Sequence, residues 1–561
     1  MTYESKPWLR FYEQGVGPEI DIPEVTLKDW VERIDRDFPE RPAFHFLGVT
    51  WTYRKLMENA DRFAQALNEH GIGKGDILAI HLVNSPQYLI AIIGAIKAGV
   101  IFSGLSPLLT AEEMFYQLSD SGAKAIITLD NLFEEKLAGI ANKLHNLKLV
   151  VVTKLLDFVE AGRPVSAPKE LPGKKVRWLK GLLSHYLARP PKVTIAPEDT
   201  SCIQYTGGTT GVPKGAVLNH RNIVANVSQY GAWLKTEMGR EVILCGFPMF
   251  HVAGLFHVMQ SLAYAFTQVL VPNPRDTKHI IQEMARCRPT FMAAVPTLYL
   301  LLLREPEFQR LDFSGLETCM CGAAPFPVEK IKDLEEVVGP SKLIEVFGMT
   351  ETSPLLTANP KKGLKKAGSV GLPLPSTWLK LVDPETGQRE VLRGEEGEII
   401  ARGPQVMKGY FNKPQETAAV LREHNGELWM HTGDVARMDE DGFFFIVDRA
   451  KDMINVGGYK VFSSEVEHKL SENPAIELCA LVGVPNPERP GSELVKLVVQ
   501  KSQSHRDKPD DVVREQLEAF ARERLAPYKV PKIIEFLERM PLTSVGKIDK
   551  KALRSQASKK S

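Results

Sequence analysis

The sequence predicts an α/β fold, with one large unit of alternating helices and strands followed by a smaller α+β unit at the C-terminal end. Three observations carry that expectation. The chain has 561 residues and 43% apolar content, more than a single hydrophobic core usually serves. From about residue 25 the hydrophobic period switches repeatedly between helix and strand, the signature of layered α/β architecture. After Trp429 the texture changes to short strands and turns, which continue as a compact α+β pattern to Leu553.

Taken in order, TLKDWVERIDRDF reads as helix, AFHFLG as strand, YRKLMENADRFAQALNEHG as helix, and DILAIHLVN as a strand closed by Ser85 and Pro86. The most apolar stretch, Tyr88 to Leu109, is interrupted by Lys97 and three glycines. A membrane-spanning helix needs about 20 mostly uncharged residues, so this stretch predicts a buried helix followed by a strand. AIITL (125–129) and KLVVVT (148–153) predict further strands. Residues 169–192 carry seven basic residues and one acid, with Val176, Leu179, Leu182, Leu183, Tyr186 and Leu187 on one helical face. A peripheral membrane-surface helix and a helix packed on its own domain both fit that pattern. The boundary between the units is expected at 448/449, with a hinge near 449–452, and the lysine-dense stretch from Lys547 reads as a solvated tail.

Bulk properties narrow the function. Seventy basic residues against sixty-nine acidic ones leave a formal charge of +1, which provides no field for a polyanion, so nucleic acid is excluded as a main partner. The six cysteines form no C-x-x-C pair and read as reduced thiols. MTYESKPWLRFYEQG has no basic head followed by an apolar stretch, which leads to the expectation of a cytoplasmic protein starting near Met1.

YTGGTTGVPKGA (205–216) follows the strand-like SCIQY and packs four glycines, three threonines and a lysine into twelve positions. Glycines let backbone N–H groups converge on phosphate oxygens, hydroxyls add donors, and Lys214 adds charge. Thr206, Gly207, Gly208, Thr209, Thr210, Gly211 and Lys214 are therefore candidate phosphate ligands. The P-loop NTPase register fails, because Pro213 precedes the lysine and Gly215 follows it.

At this loop the chain resembles the adenylate-forming superfamily of acyl-CoA synthetases, luciferases and peptide-synthetase adenylation domains, and the resemblance continues in order over nearly the whole length. Within it, the double glycine of Tyr205-Thr206-Gly207-Gly208 looks most like bacterial long-chain fatty acid–CoA ligases. FPMFHVAGL (247–255) resembles the segment whose histidine, here His251, lies beside the acyl carboxylate. CGAAPF (321–326, with Gly322, Ala323 and Ala324) and EVFGMTE (345–351) resemble the two segments that sandwich adenine. The second comprises Glu345, Val346, Phe347, Gly348, Met349, Thr350 and Glu351. It departs from the commoner GYGLTE, with Glu345 read in the glycine's place, Phe347 in the tyrosine's and Met349 in the leucine's. Glu351, with Thr206, is the implied Mg²⁺-facing group, since Mg²⁺ takes a few protein oxygens together with phosphate and water. HTGD (431–434) supplies Asp434 for the ribose hydroxyls, Arg449 would reach ribose or phosphate, and Lys451 stands at the implied hinge. Gly457 and Gly458 leave room for the pantetheine arm of coenzyme A, although Lys460 stands where relatives carry a small polar residue. In PLTSVGKIDKKAL (541–553) the preceding SVG singles out Lys547, over Lys550 and Lys551, as the catalytic lysine.

The resemblance implies a large multi-subdomain adenylation domain and a small mobile C-terminal lid. It implies ATP-dependent activation of a carboxylic acid to an acyl-adenylate, then acyl transfer to coenzyme A, with a medium- or long-chain fatty acid as the expected acid. An aromatic or alicyclic acid is the nearest alternative, and a non-catalytic nucleotide or acyl-CoA binding protein the alternative from another class. A peptide-synthetase domain would be expected to continue past Leu553 into a carrier segment. The resemblance leaves a homodimer open.

Overall fold

The computed structural model describes residues 3–159, 169–206, 212–449, 452–456, 459–489, 492–543 and 547–559. Among the described residues two large sheets dominate. A nine-stranded sheet runs from Leu372–Pro373 through Leu355–Ala358, Leu343–Gly348, Thr318–Cys321, Phe291–Ala294, Val242–Cys245, Thr267–Val269 and Pro42–Phe46 to Val49–Thr52. Its central strands, from Leu343–Gly348 to Pro42–Phe46, are parallel. An eight-stranded sheet runs from Gly409–Tyr410 through Lys214–Asn219, Thr200–Thr206, Ile101–Gly104, Ile77–His81, Ala125–Leu129 and Leu149–Thr153 to Lys175–Trp178. It is parallel from Thr200–Thr206 to Lys175–Trp178, while Lys214–Asn219 pairs antiparallel with its neighbours on both sides.

The predicted elements form where expected. Helix Leu27–Asp37 starts at a capping box on Thr26 and Asp29, and helix Tyr53–Glu69 is capped by Thr52. The apolar stretch becomes helix Pro86–Ala98, buried along its whole length, followed by strand Ile101–Gly104. Lys97 is tolerated there because its ammonium pairs with Asp61 and lies 3.8 Å from Asp35. The basic segment is not one helix: Lys175–Trp178 is a strand that buries Val176, the helix spans only Leu179–His185 and buries Leu179, Leu182 and Leu183, and Leu187 stands exposed beyond it. No helix among the described residues is long and apolar enough to cross a membrane. All six cysteines are unpaired thiols.

HTGD departs from the sequence reading. It lies inside one long bulged strand, Glu427–Met438, of an antiparallel five-stranded sheet that also holds Trp378–Val382, Glu396–Arg402, Leu421–His424 and Phe444–Arg449. The antiparallel sheet already begins at Trp378–Val382 and Glu396–Arg402, so the change of texture after Trp429 falls inside it and does not mark the start of a second unit. A separate core does begin further on. The main cluster reaches Phe444, whereas Ile454, Val461, Leu481, Val499, Leu517 and Ile534 pack with one another. Around that second core stand strands Ile476–Pro485, Glu493–Lys501 and Ile533–Phe536 and helices Ser463–Ser471 and Asp510–Arg524.

Removing one partner of a buried ion pair strands the other charge, which costs more than the pair contributes. Lys97→Met should lower unfolding free energy by about 3 kcal/mol in urea titrations. The double variant Lys97→Met/Asp61→Leu should recover most of that loss.

Candidate active site

In open α/β sheets ligands bind outside the carboxyl ends of the strands. Four such ends carry the sequence candidates. Thr206 closes strand Thr200–Thr206, His251 follows Val242–Cys245, Gly322 to Ala324 follow Thr318–Cys321, and Thr350 and Glu351 follow Leu343–Gly348.

Thr206 pairs in register with Lys214, and its hydroxyl donates to the Lys214 carbonyl at 3.4 Å. That places both ends of the phosphate loop side by side; Gly207, Gly208, Thr209, Thr210 and Gly211 lie outside the described residues. The Lys214 ammonium lies 4.9 Å from the centre of the Tyr410 ring, and the Tyr410 hydroxyl donates to Glu351 Oε1 at 2.6 Å. Glu351 is buried, and its backbone carbonyl accepts from Met407 N–H at 2.8 Å. Burial first, and the Glu351 charge second, push the Tyr410 phenol pKa up, so it remains a donor.

The turn bearing Glu351 is braced from helix His220–Leu234. Asn226 exchanges hydrogen bonds with the backbone of Leu355, at 2.8 and 2.9 Å, and Asn222 donates to the carbonyls of Pro404 and Val406. Gly348 is required where it stands, since a Cβ there would sit 1.9 Å from the Pro354 carbonyl oxygen. Across the cleft Gly322 lies against Val346, while Ala323 holds φ at 70°, a left-handed conformation that costs a side chain roughly 1 kcal/mol. Phe347, Gly348 and Met349 are half-buried beside them.

His251 caps helix Val252–Tyr264, its Nδ1 accepting from Ala253 N–H at 3.2 Å. Asn84 holds the preceding loop, donating to Phe247 at 3.0 Å and accepting from Met249 N–H at 2.7 Å, and Gln204 donates to the Phe250 carbonyl. Loss of hydration, and then the charge of Lys547, push the His251 pKa down to about 3. Lys547 is thus within electrostatic reach of His251, although 296 residues separate them in sequence (547 − 251). Its backbone is pinned to Thr543, whose N–H donates to the Lys547 carbonyl at 2.7 Å and whose hydroxyl accepts from Lys547 N–H at 3.2 Å. The solvated-tail expectation fails for this segment because Leu542 and Ile548 close it into a hairpin and Leu553 is buried.

Asp434 is buried in register with Arg449 on the adjacent strand. The bulge before it is fixed by Glu398, which accepts from Gly433 N–H and meets His431 Nδ1, both at 2.9 Å. Lys451, Gly457 and Gly458 lie outside the described residues.

Glu345 needs correction. Counted back from Glu351, the glycine of GYGLTE falls on Val346, so Glu345 precedes the pattern. Its carboxylate is buried and accepts backbone hydrogen bonds from Phe326 and Gly368, and desolvation raises its pKa to about 7. Tyr410, Asn84, Gln204, Asn222, Asn226 and Glu398 were missed from sequence. Asn222, Asn226 and Gln229 at spacings of four and three in an otherwise apolar helix were a readable signal of buried polar work.

Strand ends that bring Thr206 and Lys214 beside Tyr410, and Tyr410 onto the buried carboxylate of Glu351, are the arrangement of a nucleotide-binding α/β protein. The model of the AMP-binding enzyme family matches residues 31–411, and that of the AMP-binding enzyme C-terminal domain matches residues 465–547. The chain belongs to the AMP-binding enzyme family. It is 40% identical to a long-chain-fatty-acid–CoA ligase of Bacillus subtilis, over 98% of each chain. It is 33% identical to a feruloyl-CoA synthase of Amycolatopsis, over 94% of this chain and 98% of the relative. Among solved structures, ATP-bound MatB from Rhodopseudomonas palustris superposes with a TM-score of 0.81 at 26% identity, covering 95% of this chain and 99% of the other.

Two measurements test the site. Tyr410→Phe removes the hydrogen bond to Glu351 and should raise the Mg²⁺ concentration needed for half-maximal ATP turnover at least threefold, with little change in thermal midpoint. Glu345, with a folded pKa above its unfolded value, binds more protons when folded between about pH 4.5 and 7. Its contribution to stability is complete below that window and is lost as pH rises through it, by on the order of 3 kcal/mol. Urea titrations at pH 5 and 8 should show a smaller fall for Glu345→Gln than for the wild type.

Proposed function

We propose that this protein is a long-chain fatty acid–CoA ligase that forms an acyl-adenylate from ATP and then a thioester with coenzyme A. The observation that carries the reading is the meeting of Lys214 and the buried Glu351 on Tyr410, beside Thr206 at the strand ends. The likeness to the Bacillus subtilis ligase supports a long-chain acid.

In the first step a carboxylate oxygen of the acid attacks the α-phosphorus of ATP, and the bond to pyrophosphate breaks. Such a reaction asks for positioning and for charge opposite the phosphoryl oxygens. Thr206 and Lys214 hold phosphate, Asp434 and Arg449 hold ribose, and the segments 322–324 and 346–349 enclose adenine. Mg²⁺ would be held by Glu351 and Thr206 and completed by phosphate and water. When bound, Mg²⁺ neutralises phosphate charge. Burial and the Lys547 charge push the His251 pKa down to about 3, so it orients the acid as a neutral ring and Lys547 supplies the cation. In the second step the thiolate sulfur of coenzyme A attacks the acyl carbonyl and AMP leaves. The lid begins at 449, turns about 449–452, and exchanges Lys547 for Gly457 and Gly458 beside the pantetheine arm.

Neither a peripheral membrane contact through 169–192 nor a homodimer is required by this chemistry. Vesicle co-sedimentation reads the first, and light scattering the second.

Thioester formation with palmitate, octanoate, acetate, benzoate and ferulate tests the reading. Palmitate should lead the others in kcat/KM by at least tenfold, and a lead for benzoate or ferulate would move the assignment to aromatic acids. Lys547→Ala should slow adenylate formation at least about a hundredfold, the scale of a lost electrostatic donor. Thioester formation from supplied palmitoyl-adenylate should stay within threefold, and equal loss of both steps would refute the division of roles.

A further inference from the structure

Three residues after Lys547, a second lysine is buried. Lys550 opens helix Lys550–Lys559, its side chain only 17% exposed, and its ammonium donates to Ser463 Oγ at 2.6 Å and pairs with Glu467 Oε1 at 2.7 Å. Glu467 Oε1 also accepts from Leu481 N–H at 2.5 Å, which ties it to strand Ile476–Pro485 of the C-terminal core. Ser463 in turn donates its hydroxyl to Asp448 Oδ1 at 3.2 Å and its N–H to Asp448 Oδ2, and Ser464 Oγ donates to Oδ1 at 3.3 Å. Asp448 sits on strand Phe444–Arg449, in register with Val435, next to the candidate ribose ligand Asp434. A continuous run of charged hydrogen bonds therefore leads from the sheet that carries Asp434 to the hairpin that carries Lys547. Arg554, one turn further along the last helix, bonds Asp452 at 2.5 Å and ties the same helix to the residues just after 449–451.

We propose that Lys550 is a positioning residue for Lys547, and that Lys550, Glu467 and Asp448 form a clasp selective for the orientation that delivers Lys547 to His251. The proposal rests on the ligase reading and on its hinge at 449–452. On a turn about that hinge, Asp448 stays with the large unit, while Ser463, Ser464, Glu467 and Lys550 travel with the small one. The Asp448–Ser463 contacts then exist in only one of the two orientations. Charge-assisted bonds out of water are the strong ones, and a partner left behind in the interior is costly, so the clasp biases the equilibrium toward adenylation. Thr543 and the Leu542–Ile548 bridge hold the backbone of Lys547, and Asp549 N–H donates to the Pro541 carbonyl at 2.9 Å; the clasp fixes the helix that follows.

Full-length Lys550→Met, Lys550→Arg and Asp448→Asn test it by two rates: palmitate-dependent ATP–pyrophosphate exchange, and thioester formation from supplied palmitoyl-adenylate and coenzyme A. Lys550→Met should lower the kcat of exchange at least tenfold, with the KM for ATP changed less than threefold and thioester formation within threefold of wild type. Lys550→Arg should restore exchange to within threefold. Asp448→Asn, which keeps the size of the side chain and decides the matter if Lys550→Met fails to fold, should lower exchange while leaving thioester formation equal or faster. Equal loss of both rates, or undiminished exchange, overturns the clasp while the ligase assignment stands. Absence of exchange in the wild type with every acid tried overturns both.

Discussion

The hydrogen bond from Tyr410 to Glu351 is the contact on which the rest of the cleft depends. It joins the edge strand of the eight-stranded sheet to the turn that ends a strand of the nine-stranded sheet. A carboxylate 5% exposed pays a desolvation cost for its charge that only close donors offset. Tyr410 is such a donor, and its ring at the same time receives the Lys214 ammonium. Lys214 and Glu351 are thus fixed relative to one another through a single side chain. Asn226 and Asn222, one helical turn apart, hold the two backbone segments from which Glu351 and Tyr410 project.

Much of this was legible in the sequence because it is written in local pattern. Helix caps, strand alternation, the buried helix at 86–98 and the ordered motifs all follow from residue type and spacing over a few positions. What escaped depends on partners distant in the chain. Tyr410 lies 59 positions from Glu351 and occupies a two-residue strand with no periodicity to detect. Glu398 and Asn84 act on loops 35 and 165 residues away. Lys550 looked like a solvated residue in a basic tail, and its burial became visible only once helix Ser463–Ser471 supplied Glu467. Glu345 was misplaced by one position, a slip that periodicity does not reveal because the strand is buried along its length there.

Electrostatics divides the cleft unequally between the two units. Among the described residues the large unit presents the Thr206 hydroxyl, the Lys214 ammonium and the Glu351 carboxylate, whereas burial holds His251 neutral. The mobile cation on the proposed mechanism is therefore Lys547, and it comes from the small unit. That placement has a physical rationale. Attack of a carboxylate on a triphosphate brings like charges together and demands positive charge at the reacting centre, while attack of a thiolate on an acyl-adenylate needs space and a leaving group.

A lysine fixed on the large unit would serve the first step and obstruct the second, by holding the departing AMP and filling the path of the thiol. A lysine on the small unit can be withdrawn, but only if its position is defined when it is present. A side chain with four rotatable bonds on a short hairpin does not define itself, and its ordering entropy of up to about 2 kcal/mol must be offset by its neighbours. Thr543 fixes the backbone of Lys547, and the buried pair of Lys550 with Glu467 fixes the helix that follows. Because Asp448 completes that arrangement from the other side of the proposed hinge, the precision of the first step and the reversibility of the turn come from the same few charges.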